Sequence, residues 1–595
     1  MIPERLHALR AKMKEYHVDA CLVPTSDFHE SEYVGPYFKC RAYITGFTGS
    51  AGTAVITGED ALLWTDGRYF VQAAKQLRDT GVTLMKMGEE GVPTVEEYLQ
   101  SHIKEGMTLA FDGRVVNDSL GETLAKKLPG VAFSYDKDLV GEIWNDRPAL
   151  SCEPVWILDE KYAGESASSK LQKIRGKMEA CGASVHVLTA LDDIVWMLNI
   201  RGNDIPCNPV VLSYLILTQK ECHLFIQEAA LNDEVRSYLD GLGVAIHPYD
   251  SVYTYAKELH GETILLEKSH VNYTLCKSLE EQNTLIDGMN PASPLKAVKN
   301  PVEMENIRKA HIKDGVAVTK FIYWLKTNIG KIPMDELSVS DKLYSLRQEQ
   351  EGFLGLSFDT ISAYGPNAAM CHYQPTPEDH AQLKPEGLYL VDSGGQYYEG
   401  TTDITRTVAL GPLTQEEKEH FTVTSMGTLR LGNAKFLHGC IGINLDYLAR
   451  GAFWERGLDF NHGTGHGVGY LLNVHERPNG IRWRIVPERM DNAVLEEGML
   501  TSDEPGIYIE GSHGIRTENL MLCRKAEKNQ YGQFMRFEFV TFVPIDLDAI
   551  DTSYMTEKDV ELLNAYHKEV YEKISPYLNE EERDWLKEYT RAVEK

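Results

Sequence analysis

The stretch Leu388-Tyr-Leu-Val-Asp-Ser-Gly-Gly-Gln-Tyr-Tyr-Glu-Gly-Thr-Thr-Asp-Ile-Thr-Arg-Thr-Val408 alternates apolar residues into Asp392, crosses a glycine-rich turn, and resumes in β-branched residues around Asp403. That pattern is the signature of a β-hairpin. A hairpin pairs residues about its centre, and the midpoint of 392 and 403 falls at 397.5, inside the segment 394–400. The spacing therefore predicts that the two aspartates face each other across adjacent strands.

The same arithmetic holds further along. Met499-Leu-Thr-Ser-Asp-Glu504 and Gly514-Ile-Arg-Thr-Glu518-Asn-Leu-Met-Leu-Cys523 flank Glu510-Gly-Ser-His-Gly514, and the midpoint of 504 and 518 is Gly511. Two hairpins that each present a pair of carboxylates imply a pseudo-symmetric domain closing a site between its halves. His466 lies between them in Asn461-His-Gly-Thr-Gly-His-Gly-Val-Gly469, whose glycines disfavour a helix, so His462 and His466 are not the i,i+4 pair of a zincin. Any one of these aspartates, alone in a turn, is more often a turn residue than a ligand. Together, Asp392, Asp403, His466, Glu504 and Glu518 offer four carboxylates and one imidazole. The carboxylates balance two divalent cations and leave a bridging hydroxide as nucleophile, which defines a two-metal hydrolytic site.

Composition sets outer bounds. A chain of 595 residues predicts two to four domains. A net charge of −28 without a basic stripe argues against a nucleic-acid partner. The ten cysteines form no C-x-x-C pair, which fits reduced thiols in a cytoplasmic protein. The N-terminus has no apolar signal region and no later run approaches a membrane span, so neither secretion nor a membrane partner is expected.

A weak repeat divides the first half. Leu6-x-x-Leu9-Arg10-x-Lys12-Met13 recurs as Leu171-x-x-Ile174-Arg175-x-Lys177-Met178, each followed by an apolar strand, Cys21-Leu-Val-Pro24 and Val185-His-Val-Leu188. Two related α/β domains follow, although ordinary amphipathic helices share the pattern. Asn300-Pro301 reads as an N-cap and first helical residue opening the next domain. The last fifty residues, opened by Thr556 with Asp559 three positions on, read as amphipathic helices interrupted at Ser575-Pro576.

Asp392-Ser-Gly-Gly, Gly400-Thr-Thr-Asp403-Ile-Thr-Arg, His462-Gly-Thr-Gly-His466, Asn473-Val-His475-Glu, Asp503-Glu504-Pro-Gly and Gly514-Ile-Arg-Thr-Glu518-Asn resemble the motifs of the pita-bread metallopeptidases. Within that family the chain is most similar to the three-domain aminopeptidases P. The likeness spans nearly the whole chain, since Gly46-Phe-Thr-Gly-Ser-Ala-Gly-Thr-Ala54 and Trp64-Thr-Asp-Gly-Arg-Tyr-Phe70 also resemble their N-terminal domain. The resemblance implies an α/β (α+β) architecture: creatinase-like domains at 1–150 and 151–298, a pita-bread catalytic domain at 299–545 and a helical extension at 546–595. It implies a homodimer as well.

The resemblance also implies roles. Asp403 and Glu518 would bridge two ions, Asp392 would bind one through both oxygens, and His466 with Glu504 would complete the other. Glu504 would also hold the proton of the bridging water. His475 is the candidate to stabilise the oxyanion, His372 to hydrogen-bond near the substrate and leaving proline, and His462 to line the proline pocket. Arg516 would shape that pocket and orient the peptide. Phe358 stands where relatives often carry a tyrosine, so a hydroxyl there is absent while a hydrophobic wall remains.

Hard oxygen ligands without a thiolate favour Mn²⁺, with Co²⁺ or Zn²⁺ also able to bind. The expected substrates are peptides with proline in second position. A prolidase acting only on dipeptides would share all five ligands, but the long two-domain N-terminal half favours the aminopeptidase. A non-catalytic peptide-binding or chaperone member of the fold would be expected to lack ligands, and none is missing here.

Overall fold

The computed structural model describes residues 1–595 apart from the side chain of residue 488. Two compact units emerge, Met1–Leu158 with Glu165–Ala292, and Asp159–Gly164 with Ser293–Lys595.

The first unit contains two six-stranded sheets of one topology. In chain order the strands of the first sheet are Ala20–Pro24, Thr53–Thr57, Ala61–Thr65, Thr83–Lys86, Thr108–Ala110 and Ala132–Ser134. Those of the second are Val185–Leu188, Ser213–Thr218, Cys222–Ile226, Val244–Pro248, Thr263–Leu266 and Thr284–Asp287. Both run in the spatial order 4-3-2-1-5-6, with the same parallel and antiparallel neighbours. The repeated helices are Ile2–Glu15 and Ala167–Ala180, burying Leu6, Leu9 and Met13 in one and Leu171, Ile174 and Met178 in the other. The repeat expected from sequence is therefore a duplicated domain.

A second recurrence escaped the sequence reading: Val116-Asn-Asp-Ser-Leu120 and Val271-Asn-Tyr-Thr-Leu275. Asn117 and Asn272 each cap an equivalent helix, and the two segments pair with each other, Asp118 N–H donating to Val271 O (2.9 Å) and Tyr273 N–H to Val116 O (2.8 Å). The duplicated domains thus meet about a local pseudo-twofold axis.

The second unit opens as predicted. Asn300 caps helix Pro301–Asn328 by accepting from the N–H groups of Val302 and Glu303, while Glu303 bonds back to the Asn300 N–H. Such a cap contributes about 1 kcal/mol. The helix buries Phe321 and Leu325 in a core with Tyr389, Val391 and Val408 of the sheet. Its Asp314 forms a fully buried ion pair with Arg347 of helix Glu336–Gln348 and accepts from the Tyr397 hydroxyl (2.7 Å), tying both helices to the first hairpin.

That hairpin forms, but two residues out of the predicted register. Strand Leu388–Ser393 pairs with Ile404–Ala409 so that Asp392 opposes Thr405, and the ladder continues through Gly395–Tyr397 and Gly400–Thr401. The turn closes at Tyr398-Glu399 because Gly400, at φ +136°, supplies the backbone conformation that its exit requires. The expectation that Asp392 and Asp403 stand directly opposite is thereby corrected. A shift of two residues is one pleat period, so Asp403 stays on the same face as a diagonal neighbour. The second hairpin has the predicted register: Asp503 opposes Asn519 and Gly506 opposes Arg516, which centres the turn on Gly511.

The C-terminal helices also match expectation. Thr556 and Asp559 form a reciprocal cap on Glu557–Ile574, and the chain turns at Ser575–Tyr577 before Glu580–Tyr589. His567 is fully buried there, its Nε2 accepting the Ile545 N–H (3.1 Å). Burial, followed by the charge of Arg406, depresses its pKa to about 3. Between that value and the unfolded value near 6.5 only the unfolded chain takes up the proton. His567 is thus expected to lower stability by about 1.4 kcal/mol per pH unit as pH falls through this window. Chemical denaturation of His567→Gln between pH 7 and 4 should show a shallower loss than the parent; identical slopes would contradict the assignment.

Candidate active site

Both hairpins break their ladders at Asp403, Glu504 and Glu518, while Asp392 stays within its paired strand. Asp403 lies in the gap between Gly400–Thr401 and Ile404–Ala409, Glu504 between Leu500–Asp503 and Gly506–Ile509, and Glu518 between His513–Arg516 and Asn519–Asn529. A broken ladder frees the side chains to converge while the flanking pairs hold register. His466 sits in the short strand Gly465–Gly467, and its N–H donates to Ser502 Oγ (2.9 Å). It is not helical, as the glycines predicted.

Ligand atoms of Asp403, His466 and Glu518 lie within 4.8 Å of one another. His466 Nδ1 bonds the Gly467 carbonyl (2.9 Å), so Nδ1 carries a hydrogen and Nε2 points at Asp403 Oδ2 and Glu504 Oε1, each 3.4 Å away. A carbonyl on the distal nitrogen is the usual way a ligating imidazole is oriented. Burial opposes charging this ring, yet Asp403 and Glu504 overcome it and hold the pKa up to about 9. The same pull would hold a metal cation in the proton's place.

The carboxylates show the complementary strain. Burial, assisted by their mutual repulsion, raises the pKa values of Asp392, Glu504 and Glu518. Asp392 Oδ1 and Glu518 Oε1 are buried without a hydrogen-bond partner, whereas Glu518 Oε2 accepts from Thr405 Oγ1 (2.7 Å). Orphaned anionic oxygens aimed into a carboxylate cluster fit divalent cations. All five predicted ligands thus belong to one electrostatically coupled group.

Beside it runs a second chain of contacts. Arg516 donates to Asp392 Oδ2, to Thr405 Oγ1 (3.2 Å) and to the Tyr508 hydroxyl (2.6 Å). Tyr508 in turn meets His462 Nε2 (2.8 Å), and His462 Nδ1 meets the Gly463 carbonyl (2.7 Å). The carbonyl fixes the hydrogen on Nδ1, so Tyr508 donates to Nε2. Enclosure by protein, then the positive charge of Arg516, pushes His462 down to about 3 and keeps it neutral. Both ring nitrogens are thereby engaged, leaving the ring surface to line the site.

His475 packs edge-on against His466, with centroids 4.3 Å apart. His372 lies on the loop after Gly365–Ala369, and Phe358 is half-buried between strands Phe353–Leu356 and Ile361–Tyr364. The loop is fixed by the buried Glu336 carboxylate, which accepts from Tyr373 Oη (2.7 Å), Asn367 Nδ2 (3.0 Å) and Ala381 N (2.7 Å). Gly514 lets it approach Arg516's strand, since a Cβ there would sit 1.7 Å from Ala368 O.

Sequence reasoning missed Tyr508, Thr405 and Glu336. The hairpin register carried a signal for Tyr508: with the turn centred at 511, Tyr508 is the diagonal neighbour of Arg516 on one face. Glu336 had no such signal, because its partners are mostly backbone N–H groups and loop side chains far along the chain.

Broken hairpins, a carboxylate–imidazole cluster and orphaned oxygens together form a site suited to divalent cations. Residues 5–143 and 146–303 match the family described as Creatinase/Prolidase N-terminal domain, 305–525 Metallopeptidase family M24, and 533–593 the C-terminal region of that peptidase. The chain is 41% identical to a probable Xaa-Pro aminopeptidase P of Talaromyces marneffei, covering 99% of this chain and 92% of that one. It is 37% identical to aminopeptidase P1 of Arabidopsis thaliana, with 99% of each covered. Among solved structures, the X-prolyl aminopeptidase of Caenorhabditis elegans, described as a cytosolic enzyme with a di-nuclear active site, superposes over 100% of both chains at 34% identity and a TM-score of 0.94. The chain belongs to the aminopeptidase P family of M24 metallopeptidases.

Proposed function

We propose that this protein removes the first residue from peptides with proline in second position, using two divalent cations, most favourably Mn²⁺, held by Asp392, Asp403, His466, Glu504 and Glu518. The observation that carries this reading is the buried cluster of Asp403, His466 and Glu518, with orphaned oxygens on Asp392 and Glu518, in a chain whose relatives of full length bear that name. When bound, the cations lower the pKa of water and supply hydroxide near neutrality. Asp403 and Glu518 would be shared between the cations, Asp392, His466 and Glu504 would complete their holding, and Glu504, raised in pKa by burial, would take the water's proton.

An Xaa-Pro bond has no amide hydrogen, and its ring obstructs extended binding, so the chain must supply a dedicated pocket. His475 donates to the developing oxyanion, His372 to the peptide near the leaving proline, and His462, Arg516 and Phe358 shape the walls. The neutral state of His462 suits an apolar ring. We also assign the functional division to 1–150, 151–298, 299–545 and 546–595, and a cytoplasmic location, on the likeness to the Caenorhabditis elegans enzyme described as cytosolic.

Homodimerisation is part of the same reading. Tyr447, Trp454 and Trp483 are 60%, 43% and 46% exposed and touch in series, an apolar surface of the kind that subunits cover. Sedimentation should give a dimer that Tyr447→Lys weakens; a monomeric parent would reject it.

Substrate class is tested by peptide length. Arg-Pro-Pro should release arginine, whereas a prolidase would cleave Gly-Pro and leave Arg-Pro-Pro intact. The second result would overturn the assignment.

A further inference from the structure

The C-terminal helices contribute no ligand, yet they reach the ligand-bearing strands through one buried side chain. Arg406, 2% exposed, directly follows Thr405, whose hydroxyl bonds Glu518. Its Nε donates to Pro544 O (3.2 Å), and Nη1 to Thr405 O (2.8 Å) and Glu518 O (2.7 Å). Nη2 faces Asn519 Oδ1 (2.7 Å), Val543 O (2.8 Å) and the Tyr566 hydroxyl (2.8 Å). All six acceptors are neutral. A guanidinium removed from water without a carboxylate partner is costly and calls for a reason.

The reason lies at the break in the second hairpin. Glu518 has left the regular ladder there, and its backbone is held instead by its N–H on Thr405 O (3.1 Å) and by Arg406 on its carbonyl. Arg406 therefore replaces the ladder contact that the break gives up, on the residue that must hold its carboxylate still. Tyr566, on helix Glu557–Ile574, sets the other end of the guanidinium. Its hydroxyl accepts from Arg406 and Val543 N (3.3 Å) and lies within reach of Asn519 Oδ1 (3.2 Å) and Val543 O (2.9 Å).

We infer that the C-terminal extension is part of the metal-holding apparatus: the Tyr566 hydroxyl, acting through Arg406, fixes Glu518 at its bridging position. Tyr566 and Arg406 are positioning residues, and the inference rests on the ligand set proposed above. Partners that orient ligands typically govern 10- to 100-fold in metal affinity.

The test uses the full chain. Tyr566→Phe keeps the ring and its edge contact with Phe539 while deleting the hydroxyl. Calorimetric titration of the metal-free protein with Mn²⁺ should show about tenfold weaker binding, and the rise in Tm on metal loading should shrink accordingly. Tyr571→Phe, on the same helix, should titrate as the parent does. If Tyr566→Phe binds Mn²⁺ within twofold of the parent, or lowers the metal-free and loaded Tm equally, the contact is a brace and the inference falls. Arg406→Lys provides a second measurement, with weakened Mn²⁺ binding expected and parental binding contrary. Asp403→Ala separates the failures: parental Mn²⁺ binding in that variant would overturn the ligand set, whereas its loss beside an unaffected Tyr566→Phe would overturn only the role of the extension.

Discussion

Asp403→Ala is expected to leave a folded chain that retains no intact dinuclear centre and no measurable hydrolysis of an Xaa-Pro peptide. Asp403 Oδ2 lies 3.4 Å from His466 Nε2, and its ligand atom is within 4.8 Å of those of His466 and Glu518. The neighbouring carboxylates are already engaged: Asp392 is tied to Arg516, Glu518 to Thr405, and Glu504 to Ser502 Oγ and His466. The fold should persist, because the register of both hairpins is set by ladders on either side of the breaks and by the Asp314–Arg347 pair beneath. Metal content by mass spectrometry, beside the circular dichroism and Tm of the metal-free protein, checks both halves. Full metal occupancy in the variant would refute the bridging role.

His475→Ala should separate chemistry from metal binding. Its ring packs edge-on against His466, with centroids 4.3 Å apart. Loss of a donor to a developing oxyanion costs about 3 kcal/mol, or 10²- to 10³-fold in kcat. A fall of that size with two ions retained supports the assignment. Retained turnover would move the role to another donor, with His372 the first to examine, and loss of metal together with turnover would make His475 a support for His466.

Several of these features were legible from the chain alone. Alternation and turn composition located both hairpins because a two-stranded ladder has a fixed centre, and the second register followed from 504 and 518 directly. The first did not, since the segment 394–400 contains three glycines and only the backbone decides which of them ends the turn. Gly400 does so, and the pairing slides by one pleat without moving Asp403 off the common face. The four candidate carboxylates stood out because they are local to those hairpins, and His466 because of the glycine-rich segment between them.

Contacts made over long separations were not readable. Glu336 anchoring the His372 loop, Tyr508 between Arg516 and His462, and Arg406 joining Glu518 to Tyr566 depend on which buried surfaces meet, and side chains of those types occur throughout the chain. The C-terminal extension was therefore legible as helices but not as a neighbour of the ligand strands.

Two cations held by one chain are what would make it an Xaa-Pro aminopeptidase. Titrating Mn²⁺ into the metal-free protein while following both bound metal and arginine release from Arg-Pro-Pro tests it most directly. Saturation is expected at two ions per chain, with activity dependent on that loading. Turnover in the metal-free protein, or saturation with no peptidase activity, would contradict it.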